Sequence, residues 1–144
     1  SRILGEKLSV HSKILLLDSI DQILANKRLI QQDETKATFC GLIKKEMGRI
    51  NWIEDTPELI SRKLRAYNPW PGIYSYDING KKISFLEIEI SNQQTKPGVI
   101  QKDFNIGCKN GSVKLKRIKP EGKIIMSGEE FLRGRPHLVN TSLC

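Results

Sequence analysis

The chain has 144 residues, 38% of them hydrophobic, and a formal net charge of +8 from 24 Lys and Arg against 16 Asp and Glu. This length fits one globular domain with an appendage, and no apolar run approaches the roughly 18 residues that a membrane-spanning helix needs. The three cysteines lack the spacing of a zinc site or a disulfide framework, so we expect reduced thiols, no metal site and a cytoplasmic protein.

The positive charge is concentrated in the second half of the chain. Residues 81–144 carry 12 basic and 6 acidic side chains, whereas residues 53–80 carry 3 and 4. This asymmetry predicts a polyanionic partner, and nucleic acid rather than a membrane because no amphipathic basic helix accompanies it. An AT-rich coding bias, which favours Lys and Ile, is the alternative source of the same charge.

The first 52 residues predict a helix and a connector. Apolar residues recur near helical spacing over residues 3–24, which predicts one long amphipathic helix. Because nothing precedes this helix for it to pack against, and because the chain lacks an initiator Met, we expect a fragment of a longer protein. Residues 26–37 are polar and indicate a linker. Over residues 39–52, Gly41 and Gly48 argue against a stable helix and favour an ordered connector laid across a surface.

A second helix is predicted to begin at Thr56, because Pro57 occupies its first position and Glu58 its first turn. It ends before Pro69, since the residue before a proline is disfavoured in helical conformation. The predicted inward stripe consists of Leu59, Ile60, Leu64 and Tyr67, with Arg62, Lys63 and Arg65 largely outside it.

The Pro-Trp-Pro sequence at residues 69–71 predicts a rigid corner after this helix. The two prolines fix the direction of the chain into the first strand. We expect Trp70 to plug the end of a barrel, so that its loss would destabilise the fold by about 3–5 kcal/mol.

From residue 72 onward the hydrophobic period changes to two, which predicts β-strands. Asn79-Gly80 predicts a two-residue hairpin turn with positive φ angles, and residues 82–90 form the returning strand. Pro97-Gly98 indicates a turn, and Asn110-Gly111 indicates a second hairpin. About five short strands at this spacing predict a small antiparallel barrel, preceded by the long helix and the linker.

The sequence offers no catalytic residues. His11 and His137 stand at opposite ends without ligand partners, which indicates surface histidines, and no nucleotide-binding or hydrolase motif occurs. The basic stretch 101–124 has 7 basic and 2 acidic residues. A groove of lysines on a barrel can hold a phosphate backbone, and the scarcity of aromatic residues favours recognition of a structured RNA through its backbone or shape.

Several motifs resemble those of bacterial and organellar methionyl-tRNA formyltransferases. RAYNPWPG (65–72) resembles their RAFNPWPG signature, KPGVI (96–100) their PGTI, and KPEGKIIMSGEEFLRGRP (119–136) their QPEGKKxMSAxEFLxGxR. KKEMGRINW (44–52) is similar to their linker KEEGxIDW, and LGEKL (4–8) to the helix that closes their catalytic domain. The chain departs from the family at Lys119, which replaces a Gln and adds a positive charge facing phosphate.

The resemblance implies a mostly β fold with helices, built as an OB-like open barrel. Residues 1–30 would be the last helix of a truncated Rossmann-like catalytic domain, 31–52 a linker, and 53–144 the tRNA-binding domain. The parent enzyme would move a formyl group from 10-formyltetrahydrofolate to methionyl initiator tRNA. Its catalytic residues would lie upstream, so this fragment would be inactive and bind no cofactor. The charge and the resemblance together suggest RNA contacts at Lys44, Lys45, Arg65, Lys82, Lys114, Lys116 and Lys123.

The partners implied are initiator methionyl-tRNA and the upstream catalytic domain of the same chain, in a monomeric enzyme of the bacterial cytoplasm and without a membrane. Two alternatives remain open at this point. The chain could be the C-terminal domain of a sugar-nucleotide formyltransferase, or a stand-alone OB-like nucleic-acid-binding module. Binding of initiator tRNA, compared with binding of a nucleotide sugar, separates them.

Overall fold

The computed structural model describes residues 2–27 and 31–144, in two compact units. The first unit ends at Leu42, and the second spans Ile43–Cys144. The second unit therefore begins ten residues before the predicted domain start at 53, because the buried side chains of Ile50 and Trp52 belong to its core. The assignment of the earlier residues to a catalytic domain and a linker stays a prediction.

The first unit contains helix α1, Arg2–Leu24, which confirms the predicted helix. Its large apolar side chains from Ile3 to Leu24 are all exposed. They do not form the predicted single stripe, because Leu15, Leu16 and Leu17 are consecutive and successive helical residues point about 100° apart. A short 3₁₀ turn, Glu34–Lys36, follows in the polar stretch, whose residues 28–30 lie outside the described residues.

The second unit opens with the connector. Among its described residues there is no α-helix before residue 57, as predicted, only a 3₁₀ turn at Lys45–Gly48. Gly48 packs directly against the backbone of Gly72 and the ring of Pro71, where no side chain would fit. The connector then enters the core, where Trp52 stacks edge-on against Phe85 at 5.9 Å between ring centroids.

Helix α2 spans Pro57–Ala66, close to its predicted bounds. The Thr56 side chain accepts a hydrogen bond from the Leu59 N–H at 3.3 Å, which caps the first turn as its sequence predicts. Ile60 is fully buried. The prediction that Lys63 lies outside the inward stripe is wrong, because its ammonium reaches back to the buried carboxylate of Asp55, 2.6 and 2.8 Å from the two oxygens.

The corner after α2 corrects a second prediction. Trp70 does not plug the barrel, since its side chain is 59% exposed. The Gly72 N–H donates to the Tyr67 carbonyl at 2.9 Å and closes a tight loop whose outer tip carries the indole. The tryptophan that fills the core is Trp52, at 4% exposure. Trp52 already occupies interior space, and the closed loop directs Trp70 to solvent.

The sheet has five strands: β1 Ile73–Tyr76, β2 Lys82–Ser91, β3 Asn105–Cys108, β4 Gly111–Pro120 and β5 Met126–Ser127. The order is β1-β2-β4-β3, with β5 also paired to β4, and every one of these pairs is antiparallel. Helix α3, Gly128–Arg133, follows, capped by Ser127. This open five-stranded sheet with its helices is consistent with an OB-like fold and confirms the predicted fold class.

The turns follow the predicted positions with one change of type. Five residues, 77–81, connect β1 to β2 in the first hairpin instead of two, because the Asp77 carboxylate accepts hydrogen bonds from the N–H groups of Asn79 and Lys81. Only Gly80 of the predicted pair has positive φ, at +73°. At Pro97-Gly98 a Val99 N–H to Lys96 carbonyl bond and φ of +77° at Gly98 form the predicted turn.

The outer face of β2 changes partway along the strand. A register shift between Phe85 and Ile88 moves the inward positions from 83 and 85 to even numbers. Within this shift Glu87 lies opposite Arg117, and beyond it Glu89 lies opposite Lys114. The strand therefore presents acidic side chains to the basic strand β4 over its second half.

Candidate nucleic-acid interface

The structure distributes the seven predicted RNA contacts over the surface of the second unit. Lys44 and Lys45 lie at the 3₁₀ turn, Arg65 in the last turn of α2, Lys82 at the start of β2, Lys114 and Lys116 within β4, and Lys123 after the end of β4. Lys82 and Lys114 are partly buried, and the other five are exposed.

Four residues at the β1–β2 edge form what we call the tyrosine face: Arg49, Tyr74, Tyr76 and Lys82. Tyr74 and Tyr76 point to the same side of β1, with ring centroids 5.6 Å apart at an interplanar angle of 84°. The Lys82 ammonium lies 4.0 Å from the Tyr74 centroid, and the Arg49 guanidinium lies 5.5 Å from that of Tyr76. Both distances are within the range of cation–π attraction.

Hydrogen bonds along the backbone explain why these residues meet. The Ile50 N–H donates to the Tyr74 carbonyl at 2.9 Å, which attaches the connector to the free edge of β1 and brings Arg49 beside Tyr76. On the other side, Tyr76 lies opposite Lys82 in the antiparallel register. Residues opposite each other in such a ladder share a face, so the lysine lies near the tyrosines.

Lys119 extends the tyrosine face across the sheet. It lies opposite Ser84, which in turn lies opposite Tyr74. Two carboxylates, those of Glu46 and Glu121, border the face. Burial raises the pKa of Tyr74, with smaller contributions from Tyr76 and the charge of Glu46, while Arg49 acts in the opposite direction. The Glu121 carboxylate accepts a hydrogen bond from the Lys82 backbone N–H at 3.0 Å.

Lys114 and Lys116 form a second basic region, the β4 lysine pair. As predicted, both lie on one face of a strand. The Lys116 ammonium, however, lies 2.7 Å from the Glu89 carboxylate. This hydrogen bond lowers the pKa of Glu89 and raises that of Lys116. Glu89 is also opposite Lys114, so one carboxylate offsets charge on both lysines.

The two basic regions lie at different ends of β2. Lys82 is its first residue and Glu89 lies seven positions along, so about 23 Å of strand separates them. Lys123 follows β4 two residues after Glu121, whose N–H donates to the Lys82 carbonyl at 2.8 Å. Arg65 belongs to neither basic region, and its guanidinium donates to the Ser61 hydroxyl on the same helix at 2.8 Å. The predicted set is therefore not one groove.

Sequence reasoning missed Arg49 and the tyrosines. The signal was present, because two tyrosines in alternation before a turn, followed by Lys82, place aromatic and basic side chains on one face of a hairpin. The approach of Arg49 could not be read from the sequence, since it depends on the connector pairing with the edge of β1.

The described residues offer little for catalysis. Both histidines are exposed, as predicted, and no three His, Cys, Asp or Glu side chains among the described residues are grouped to hold a metal ion. Burial raises the pKa of the Cys108 thiol to about 11, which disfavours a reactive thiolate. In the part of the chain that the structure describes, no helix is long and apolar enough to cross a bilayer.

The chain matches the family described as formyl transferase, C-terminal domain, over residues 42–136. Among curated proteins, a methionyl-tRNA formyltransferase of Rickettsia bellii is 38% identical, over 84% of this chain and 39% of that protein. One from Dehalococcoides mccartyi is 32% identical, over 98% of this chain and 46% of that protein. The chain thus spans less than half the length of these relatives.

Two crystal structures of HypX from Aquifex aeolicus share the fold. A variant with six substitutions matches with a TM-score of 0.59 at 18% identity, over 88% of this chain and 24% of that one. HypX in complex with tetrahydrofolic acid matches with a TM-score of 0.52 at 23% identity, over 62% and 17%. At these identities the likeness establishes the fold alone.

Proposed function

Because the chain belongs to the formyl transferase C-terminal domain family, we propose that it is the RNA-binding C-terminal portion of a methionyl-tRNA formyltransferase. The observation that carries this proposal is the identity of 38% and 32% to two enzymes of that name. The parent enzyme would transfer a formyl group from 10-formyltetrahydrofolate to the amino group of methionyl initiator tRNA, in bacterial translation initiation.

The lengths of the relatives support a division of labour within the parent. The chain covers 39% and 46% of two of them, and we assign formyl donor and catalytic residues to the remainder. Residues 1–30 would pack on that upstream domain, and residues 31–52 would link it to the RNA-binding part. The apolar side chains exposed along α1 support this arrangement, since a helix with this many apolar side chains normally packs against a partner.

The seven predicted basic side chains of the second unit would contact tRNA phosphates. Phosphate contacts fix the position of an RNA without reading its bases, so they serve any tRNA of the right shape. Discrimination of the initiator would then rest mainly on the catalytic part. Among the predicted contacts, Lys82 and Lys123 should contribute more than Lys114 and Lys116, because Glu89 already offsets charge on the β4 lysine pair.

Binding of a labelled initiator tRNA to the 144-residue chain, titrated with salt, tests this function. We expect the affinity to fall with salt, and Lys82→Gln and Lys123→Gln each to lower the magnitude of the salt slope by roughly one unit. Lys109→Gln, an exposed lysine in the second hairpin loop, is the matched control. Absence of tRNA binding at low salt, or tighter binding of a nucleotide sugar, would overturn the proposal.

The same preparation should show no formyl transfer. The reaction needs a base and oxyanion-stabilising groups, which we assign to the upstream domain. Incubation with methionyl-tRNA and 10-formyltetrahydrofolate, followed by detection of formylmethionine, checks this. Turnover by the purified chain would contradict the division of labour, although the RNA-binding role would stand if tRNA binding is observed.

A further inference from the structure

We propose that the tyrosine face is a preorganised site for RNA phosphates, in which Arg49 and Lys82 each contact a phosphate while Tyr76 and Tyr74 hold these cations in place. The inference rests on the proposed function and deepens it. It assigns a binding role to Arg49, and a positioning role to Tyr76, neither of which follows from membership of the family.

The cations of this face differ from others in the same unit in what lies beside them. Lys63 and Lys116 are both in ion pairs, with Asp55 and Glu89 respectively. Among the ion pairs of residues 2–27 and 31–144, none includes Arg49 or Lys82. Their charged groups lie over neutral aromatic rings instead. A ring attracts a cation without neutralising it, so the full charge stays available to an anion.

The rings also reduce the conformational entropy that Arg49 and Lys82 lose when they bind a ligand. Arg and Lys side chains lose much of their rotamer freedom when they are fixed in a complex. A side chain already stacked on a ring has lost part of that freedom before it meets a ligand. Tyr74 is 4% exposed and therefore rigid, and Tyr76 packs against it edge-on. The guanidinium of Arg49 suits phosphate because its planar fork of N–H donors can bind two oxygens.

The charges around the face favour an anion as the ligand. Lys119 adds a positive charge across the sheet, and Lys45 lies four residues before Arg49 on the attached connector. Glu46 and Glu121 border the face, and the Glu121 carboxylate accepts a hydrogen bond from the Lys82 backbone N–H. The cations Lys45, Arg49, Lys82 and Lys119 outnumber these two carboxylates. Since the tyrosine rings are covered by each other and by the cations, the face is suited to phosphates and not to base stacking.

Salt titrations of binding to an initiator tRNA transcript test the proposal with four variants. Arg49→Gln should weaken binding about threefold to tenfold at 150 mM salt and lower the magnitude of the salt slope by roughly one unit. Arg133→Gln removes another exposed arginine, from helix α3, and is the matched control, expected to change neither. Thermal unfolding of each variant verifies the fold.

The tyrosine variants separate positioning from charge. Tyr76→Phe keeps the ring and should bind as the wild type does. Tyr76→Leu removes the ring but no charge, so it should weaken binding by a smaller factor with an unchanged slope. Equal effects of Arg49→Gln and Arg133→Gln, or of Tyr76→Phe and Tyr76→Leu, would overturn the inference. It would also be overturned if Arg49→Gln leaves tRNA binding intact while weakening binding of a partner protein.

Failure of the inference is distinguishable from failure of the proposed function. If the wild-type chain binds tRNA and the Arg49 and Tyr76 variants behave as the control does, only the tyrosine face is wrong and the remaining lysines carry binding. If the wild-type chain binds no tRNA at low salt, the proposed function fails and the inference with it.

Discussion

The two segments that flank helix α2 each contain a tryptophan, and the two behave in opposite ways. In the leading segment, residues 50–56, Trp52 is 4% exposed and its indole N–H donates to the Ser75 hydroxyl at 3.0 Å. In the proline corner, residues 68–72, Trp70 is 59% exposed. A large aromatic is buried where the fold supplies both space and a partner for its polar atom. The prolines on either side of Trp70 supply neither the space nor the partner.

The largest effect is expected at Trp52. Trp52→Ala should destabilise the second unit by about 3–5 kcal/mol, because it leaves a cavity against Phe85 and removes the donor to Ser75. Urea unfolding followed by circular dichroism measures the change. Trp52→Phe keeps most of the packing and should cost markedly less. If Trp52→Ala and Trp70→Ala cost the same, the contrast between the two segments does not hold.

The leading segment also contains a buried charge whose removal should rank second. The Asp55 carboxylate is held by Lys63 and accepts a further hydrogen bond from the Asn51 N–H at 3.0 Å. Lys63→Met keeps the aliphatic stem but leaves the carboxylate without its charged donor, for an expected loss of about 2 kcal/mol. Arg62→Met, one position earlier and exposed, is the control. Equal losses would show that the ion pair is energetically unimportant.

The helix cap at the end of the leading segment should rank third. Thr56→Ala removes the oxygen that accepts from the Leu59 N–H, with an expected cost of about 1 kcal/mol. Thr56→Ser retains that oxygen and should unfold close to the wild-type midpoint. A Ser variant as unstable as the Ala variant would point to loss of methyl packing instead of loss of the cap.

Local sequence signals predicted the regular elements of this unit well. The Thr56-Pro57 start, the strand alternation and the turns at Asn79-Gly80 and Pro97-Gly98 all depend on backbone preferences of neighbouring residues. The predicted type of the first hairpin loop was wrong, because the Asp77 side chain accepts hydrogen bonds from two backbone N–H groups. Those hydrogen bonds are local too, and an Asp two residues before the turn is their signal.

Contacts between residues that are distant in the chain could not be predicted from the sequence. Nothing near Trp52 shows that Ser75 will accept its N–H, and nothing near Lys63 shows that the chain will turn Asp55 toward it. The candidate site could be predicted only in part for the same reason. Lys82 could be chosen from its charge, but the contact of Arg49 with Tyr76 depends on pairing between the connector and β1. Charge alone also grouped Lys116 with the RNA contacts, although Glu89 pairs with it.

The smallest effect is expected at Trp70, and it tests the comparison most directly. Trp70→Ala should lower the free energy of unfolding by under about 0.5 kcal/mol, as surface substitutions usually do. The indole is largely in solvent, and the substitution leaves in place the bond from the Gly72 N–H to the Tyr67 carbonyl that closes the corner. Since the chain has two tryptophans, fluorescence gives an independent measurement. Acrylamide should quench the Trp52→Phe variant, which emits from Trp70, far more strongly than the Trp70→Phe variant. A loss above about 1 kcal/mol in Trp70→Ala, together with weak quenching of Trp70, would mean that the corner packs its indole as the leading segment does.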